Sequence, residues 1–271
     1  IYVYIGREQI MAPSANTSVV YCQGTTAQPL TASGTDILWY DTPTGGTPLA
    51  TAPIPDTSVV GEVWYYASQT IRLCEGPRTA IKVTTLETPV APTATQYYEY
   101  CMNETTATLT ATGVGLVWYT TPDGGIGSSI APIPSSNVPG VYYYYVCQSI
   151  NGCEGPRIPI IVMIYPIPPM PKTKSNIVYE QYNPIEPLMA TGANLIWYND
   201  QLEPLTEKPV ITSDVLGKTE YYVSQTVKNC TSSLQKITVT ILPNYITIKY
   251  PRYFTPNGDG NNETWNIYTP E

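Results

Sequence analysis

The chain has 271 residues, a formal net charge of −8 and no histidine. The acidic balance excludes the basic footprint that nucleic acid requires and disfavours an anionic membrane surface. The missing histidine excludes Ser-His-Asp and Cys-His catalysis and every His-ligated metal site. Charged residues make up 13%, about half the usual share. Tyr (24) and Pro (27) are abundant, whereas Phe occurs once. Tyr, Thr and Val suit half-buried strands, and Pro and Gly punctuate them, so the composition predicts an all-β chain. The most apolar run, Ile158–Ile167, is too short to span a bilayer and is broken by Pro159 and Pro166.

Taken in order, Ile1-Tyr2-Val3-Tyr4-Ile5 reads as a strand resembling Ile237-Thr238-Val239-Thr240-Ile241. This predicts that 1–7 is the last strand of a preceding copy and that the sequence is a piece of a longer chain. The first complete unit, 8–86, holds short strand patterns at Val19–Cys22, Pro29–Ala32 and Ile37–Tyr40. Gly45-Gly46 is a hairpin signal. Val63–Ala67 follows, then an expected hairpin tip at Cys74-Glu75-Gly76-Pro77, then Thr79–Val83. About seven strands in so short a unit, with a Trp on the third, predict an immunoglobulin-like β-sandwich.

The unit repeats. Trp39-Tyr40, Trp118-Tyr119 and Trp197-Tyr198 recur every 79 residues (118 − 39 and 197 − 118), as do Cys22 with Cys101 and Cys74 with Cys153. The loops Cys74–Arg78 and Cys153–Arg157 are identical, Cys-Glu-Gly-Pro-Arg. The second and third units are expected at 87–165 and 166–242, and a different C-terminal segment at 243–271. The linkers are short and carry Pro89 and Pro92, then Pro166, Pro168, Pro169 and Pro171. Stiff linkers between sandwiches predict tandem beads in an extended rod.

Thin sandwiches often carry a covalent staple. Repeat alignment predicts disulfides within each unit, Cys22 with Cys74 and Cys101 with Cys153. The supposition is that strand start and hairpin tip share one end of the sandwich. Such loops would contribute about 4 kcal/mol and imply an oxidising compartment. Glu180 stands where Cys22 and Cys101 stand, which leaves Cys230 without its expected partner. Cys147 is an extra cysteine where Ser68 and Ser224 stand. Both Cys147 and Cys230 are expected to be free thiols.

Candidate sites compete with plainer roles. Trp39, Trp118 and Trp197 are expected to be core pins rather than sugar platforms. The runs Trp64-Tyr65-Tyr66 and Tyr142-Tyr143-Tyr144-Tyr145 must alternate between faces, and their outward members are expected to be solvent-facing β-formers rather than a glycan grip. Arg78 and Arg157 read as last-strand starts. No pair of carboxylates is set apart for glycoside hydrolysis, and no residue is assigned a catalytic role.

Near the C-terminus the pattern changes to Phe254-Thr255-Pro256-Asn257-Gly258-Asp259-Gly260-Asn261-Asn262-Glu263-Thr264-Trp265. Asn257, Asp259, Asn261 and Glu263 alternate like the opening of a calcium loop. The second half of such a loop is missing, however, and Gly258 and Gly260 suit a plain turn. The turn is the preferred reading and calcium the alternative. Tyr245–Lys249 reads as a strand available for edge pairing. The motif from Phe254 to Trp265 resembles the start of the gliding-motility-associated C-terminal domain of Bacteroidetes surface proteins, with Glu263 where Asp is commoner. That resemblance implies export by a type IX secretion system through a type B signal, and attachment at the outer membrane. The partners it implies are the secretion machinery and an outer-membrane β-barrel protein, as for SprB-type gliding adhesins. The expected function is therefore a non-catalytic C-terminal stalk of a long extracellular adhesin, in gliding or surface adhesion, with surface glycans as a further partner class. The alternative is a set of spacer or carbohydrate-binding repeats of a secreted polysaccharide-degrading enzyme whose catalytic domain lies upstream.

Overall fold

Alternation dictates the strands. Along Thr79–Leu86 every second side chain, Ile81, Val83 and Thr85, is buried, while the residues between them stay half-buried. The same alternation recurs in Ile158–Tyr165 and Gln235–Leu242. The structure, a computed structural model, describes residues 9–245. Among them every regular element is a strand.

The first repeat contains β1 (Ser14–Ala15), β2 (Ser18–Cys22), β3 (Ala32–Ser33), β4 (Ile37–Tyr40), β5 (Gly61–Ile71), β6 (Cys74–Glu75) and β7 (Thr79–Leu86). The second contains β8 (Thr93–Ala94), β9 (Tyr97–Cys101), β10 (Ala111–Thr112), β11 (Leu116–Tyr119), β12 (Gly140–Ile150), β13 (Cys153–Glu154) and β14 (Ile158–Tyr165). The third contains β15 (Lys172–Thr173), β16 (Asn176–Glu180), β17 (Ala190–Thr191), β18 (Leu195–Tyr198), β19 (Pro204–Leu205), β20 (Gly217–Val227), β21 (Cys230–Thr231) and β22 (Gln235–Leu242). The chain divides into two compact units. One runs through Glu99 and includes Thr105–Ser135 and Val141–Met163. The other comprises Tyr100–Glu104, Ser136–Gly140 and the described chain from Ile164.

Each repeat is an Ig-like sandwich with one substantial sheet and one minimal one. In the first repeat the large sheet has the order β2-β7-β5-β4, with β6 paired to β5, and β1-β3 forms the other layer. The second and third repeats use the same order, β9-β14-β12-β11 and β16-β22-β20-β18, and the third adds β19 at its edge. The large sheet is antiparallel except for one pairing. β2 runs parallel to β7, with Ser18 opposite Lys82 and Cys22 opposite Leu86. The same parallel register joins β16 to β22.

The expected strand at Pro29–Ala32 shrinks to Ala32–Ser33. Pro29 has no N–H for a ladder, and the chain there is held instead by single bonds such as Leu30 N–H to the Pro53 carbonyl (2.9 Å). The Gly45-Gly46 signal yields a loop with both glycines at positive φ, from which Leu49 returns to bridge Trp39.

The core repeats with the chain. Leu30, Trp39, Ala67, Ile81 and Val83 form it in the first repeat. Leu188, Trp197, Val223, Ile237 and Val239 take the same places in the third. Trp39, Trp118 and Trp197 are all buried, as core pins should be. Tyr143 faces outward between the more covered Tyr142 and Tyr144, and Trp64 is exposed together with its neighbour Val63.

Candidate functional site: the hairpin tips and their staples

Each repeat turns back once at the end of its longest strand. The turn residues are Arg72-Leu73 (φ 51° and 64°), Asn151-Gly152 (54° and 84°) and Lys228-Asn229 (50° and 62°). Two consecutive positive φ values make a two-residue hairpin whose twist suits the flanking strands. Cys74, Cys153 and Cys230 follow at once, paired opposite Ile71, Ile150 and Val227. The tip thus lies two residues before the expected Cys74–Pro77. Arg-Leu carries none of the usual Gly or Asn signal, although Asn151-Gly152 does.

The Cys-Glu-Gly-Pro-Arg segment is anchored to the sandwich by its charged pair. The Arg78 guanidinium lies 3.2 Å from the centroid of the Tyr40 ring and donates to the Thr42 carbonyl at 2.7 Å. Ser68 Oγ donates to Glu75 Oε1 at 2.6 Å. That bond, with help from Tyr40 and Arg78, holds the Glu75 carboxyl below its ordinary range. In the second repeat Arg157 stacks on Tyr119 at 3.3 Å and donates to the carbonyls of Thr121 and Gly124. The Tyr119 hydroxyl donates to Glu154. Cys147 replaces the serine there. It is a free, buried thiol whose pKa is pushed up by burial and then by Glu154. The arginines are therefore stacking anchors of the tip. The third repeat has Leu234 and Thr231 in place of the arginine and glutamate, and its Tyr198 hydroxyl shares a hydrogen bond with Ser224.

A glutamine ties each tip to the chain entering its own repeat. Gln69, Gln148 and Gln225 accept from the N–H groups of Thr35, Val114 and Ala193. Their amides donate to the carbonyls of Met11 (2.8 Å), Val90 (2.8 Å) and Pro169 (2.7 Å). The tip glycines pack on the same lead-in. A Cβ on Gly155 would meet the Pro89 carbonyl oxygen at 2.2 Å, and one on Gly76 would meet Ile10 Cγ2 at 2.4 Å. The hairpin tip and the incoming linker therefore form one end of each repeat.

The disulfides follow from this placement, and they correct the expected pairing. Cys22 bonds to Cys153 and Cys101 bonds to Cys230, each with Cα atoms 5.5 Å apart. Cys74 is free and exposed, and Cys230 is bonded rather than free. The reason is the parallel β2–β7 pairing. It sets Cys22 beside Leu86, at the exit end of the repeat. Cys74 precedes β7, whose eight residues span about 25 Å. A disulfide needs Cα atoms within about 7 Å. The exit end of one repeat instead meets the tip end of the next, so the staples run between repeats. Cys153 and Cys230 are accordingly buried.

A cavity of about 420 Å³ opens beside Trp118 and Tyr144, edged by Ile126, Ser128 and Ile130. In the other repeats the position of Ser128 is Leu49 or Leu205, and each packs against its core. Serine leaves that volume unfilled.

The motif Phe254, Thr255, Pro256, Asn257, Gly258, Asp259, Gly260, Asn261 and Trp265 lies outside the described residues. So do the calcium candidates Asn257, Asp259, Asn261 and Glu263, the strand through Lys249, and the segment 1–7. Among the described residues no group of three or more His, Cys, Asp or Glu side chains is placed to hold a metal. Nor is any helix there long and apolar enough to cross a membrane.

Fold and staples together define a tandem array of Ig-like repeats. Residues 11–86 match the family described as Ig-like domain CHU_C associated. No curated protein matches the chain. Sidekick-1 immunoglobulin domains 1–4 are 14% identical over 86% of this chain and 75% of theirs, with a TM-score of 0.29. The insect immune protein hemolin is 13% identical over 86% and 76%, with a TM-score of 0.27. The Bacteroides ovatus protein SGBP-B, solved with a mixed-linkage heptasaccharide, is 10% identical over 96% and 74%, with a TM-score of 0.19. At these scores the likenesses carry no functional argument for this chain.

Proposed function

We propose that the chain is a non-catalytic stalk segment of an extracellular adhesin, in which Ig-like repeats are stapled in series. The observation that carries this reading is the pair of disulfides joining each repeat to the next. Disulfides persist in oxidising compartments, which suits a secreted chain. A staple between repeats adds nothing to a binding cleft, but it joins neighbouring beads into one covalent line, as a spacer requires. The Ig-like family match at residues 11–86 supports the same class. The motif from Phe254 to Trp265, by its resemblance to gliding-motility-associated C-terminal domains, supplies the rest of the proposal. On that basis the protein is exported by a type IX system and held at the outer membrane by a β-barrel partner, in gliding or surface adhesion.

The test is co-purification. The tagged native protein is extracted from envelopes in mild detergent, with and without the segment after Leu242. Retention of an outer-membrane barrel only when that segment is present is the expected result. Recovery of the intact protein from the medium with no membrane partner overturns the anchored reading and favours a spacer in a secreted enzyme.

A further inference from the structure

Cys74 occupies the position of two bonded cysteines, yet it has no bond. Cys153 and Cys230 sit at the same point of the same hairpin, and each is covered by the strand-end cysteine of the repeat before it. Cys74 is instead unbonded and exposed. The docking end around it is nonetheless built. Gln69 holds the Met11 carbonyl just as Gln148 holds that of Val90, and Gly76 lies against Ile10 as Gly155 lies against Pro89. The turn next to Cys74 places Leu73 at φ 64° with 98% of its surface exposed. In the second repeat that position is Gly152, whose carbonyl lies 4.0 Å from Cys22 Sγ. A bulky apolar residue in a left-handed turn is costly in isolation, and a neighbouring repeat seated there would cover it.

We propose that Cys74 is the receiving half of another inter-repeat disulfide, its partner being the strand-end cysteine of an Ig-like repeat that precedes this one in the same polypeptide. The polarity of the two observed staples fixes the direction, since each runs from a strand end to the next tip. A second copy of this chain has no strand-end thiol to offer, because Cys22 and Cys101 are bonded and the third repeat carries Glu180 at that position. The clamp on Ile10 and Met11 brings the incoming chain, and whatever repeat it leaves, to the tip. In the reaction the two thiols lose two protons and two electrons to the disulfide of a thiol–disulfide oxidoreductase, which departs as a dithiol.

The inference rests on the stapled-array reading, and one experiment separates the two. The full native protein is alkylated under denaturing, non-reducing conditions, digested and mapped by mass spectrometry. The expected map shows Cys22–Cys153 and Cys101–Cys230 linked, Cys147 alkylated, and Cys74 linked to a cysteine peptide from outside these 271 residues. Both internal links with Cys74 alkylated, joined to a second Cys74 or capped by a small thiol would overturn the inference alone. Loss of the internal links would overturn the array itself.

Discussion

Gln148 joins three pieces of backbone that are far apart in sequence. Its carbonyl oxygen takes the Val114 N–H and its amide reaches the Val90 carbonyl, while its own strand bears the hairpin tip. Gln148→Ala leaves the Val114 N–H and the Val90 carbonyl without their part-buried partner. It should lower stability by about 2 kcal/mol, read as a lower urea midpoint with an unchanged slope. The role was missed in the sequence because glutamine signals no chemistry there. The available clue was recurrence: Gln69 and Gln148 share the 79-residue spacing (148 − 69), as do Gly34 and Gly113. A Cβ at Gly34, Gly113 or Gly192 would come within 3 Å of the glutamine Oε1 of its own repeat. The tryptophans, by contrast, were legible, because an alternating strand admits a large ring only on its buried face.

Strand positions were readable from alternation and spacing, but strand partners were not. β2 lies parallel to β7 although the two stand near opposite ends of the repeat's sequence, and that single pairing moved Cys22 to the exit end. Nothing in the spacing of the cysteines distinguishes a bond within a repeat from one between repeats. In the third repeat the β20–β22 pair carries its own charge device. Glu220 lies between Lys236 (2.6 Å) and Lys218 (3.2 Å). Those contacts, Lys236 foremost, lower its carboxyl from an ordinary 4.5 to about 2. The unfolded chain therefore takes up this proton first as pH falls. The stabilisation is complete above about pH 4.5 and is lost as pH falls through about 2. The urea midpoint should drop over that range more steeply for the native chain than for Glu220→Gln. Added salt should narrow the difference, because the group is near the surface.

At the scale of the whole chain the two covalent loops overlap, since Cys101 lies inside the Cys22–Cys153 loop and Cys153 inside the Cys101–Cys230 loop. Each loop, closed over 131 or 129 residues, contributes about 5 kcal/mol in the chain-entropy account. Interlocking also decides what happens when the ends are pulled. The shortest covalent route from Gln9 to Tyr245 runs forward to Cys22, crosses to Cys153, goes back to Cys101, crosses to Cys230 and leaves. That route holds roughly 80 residues and draws out to about 280 Å, against about 830 Å for the same chain with its thiols reduced. Single-molecule extension in oxidising and reducing buffer should read this threefold difference in contour length directly. A sandwich that melts under tension thus yields little slack, and the molecule behaves as a tether with a fixed stop.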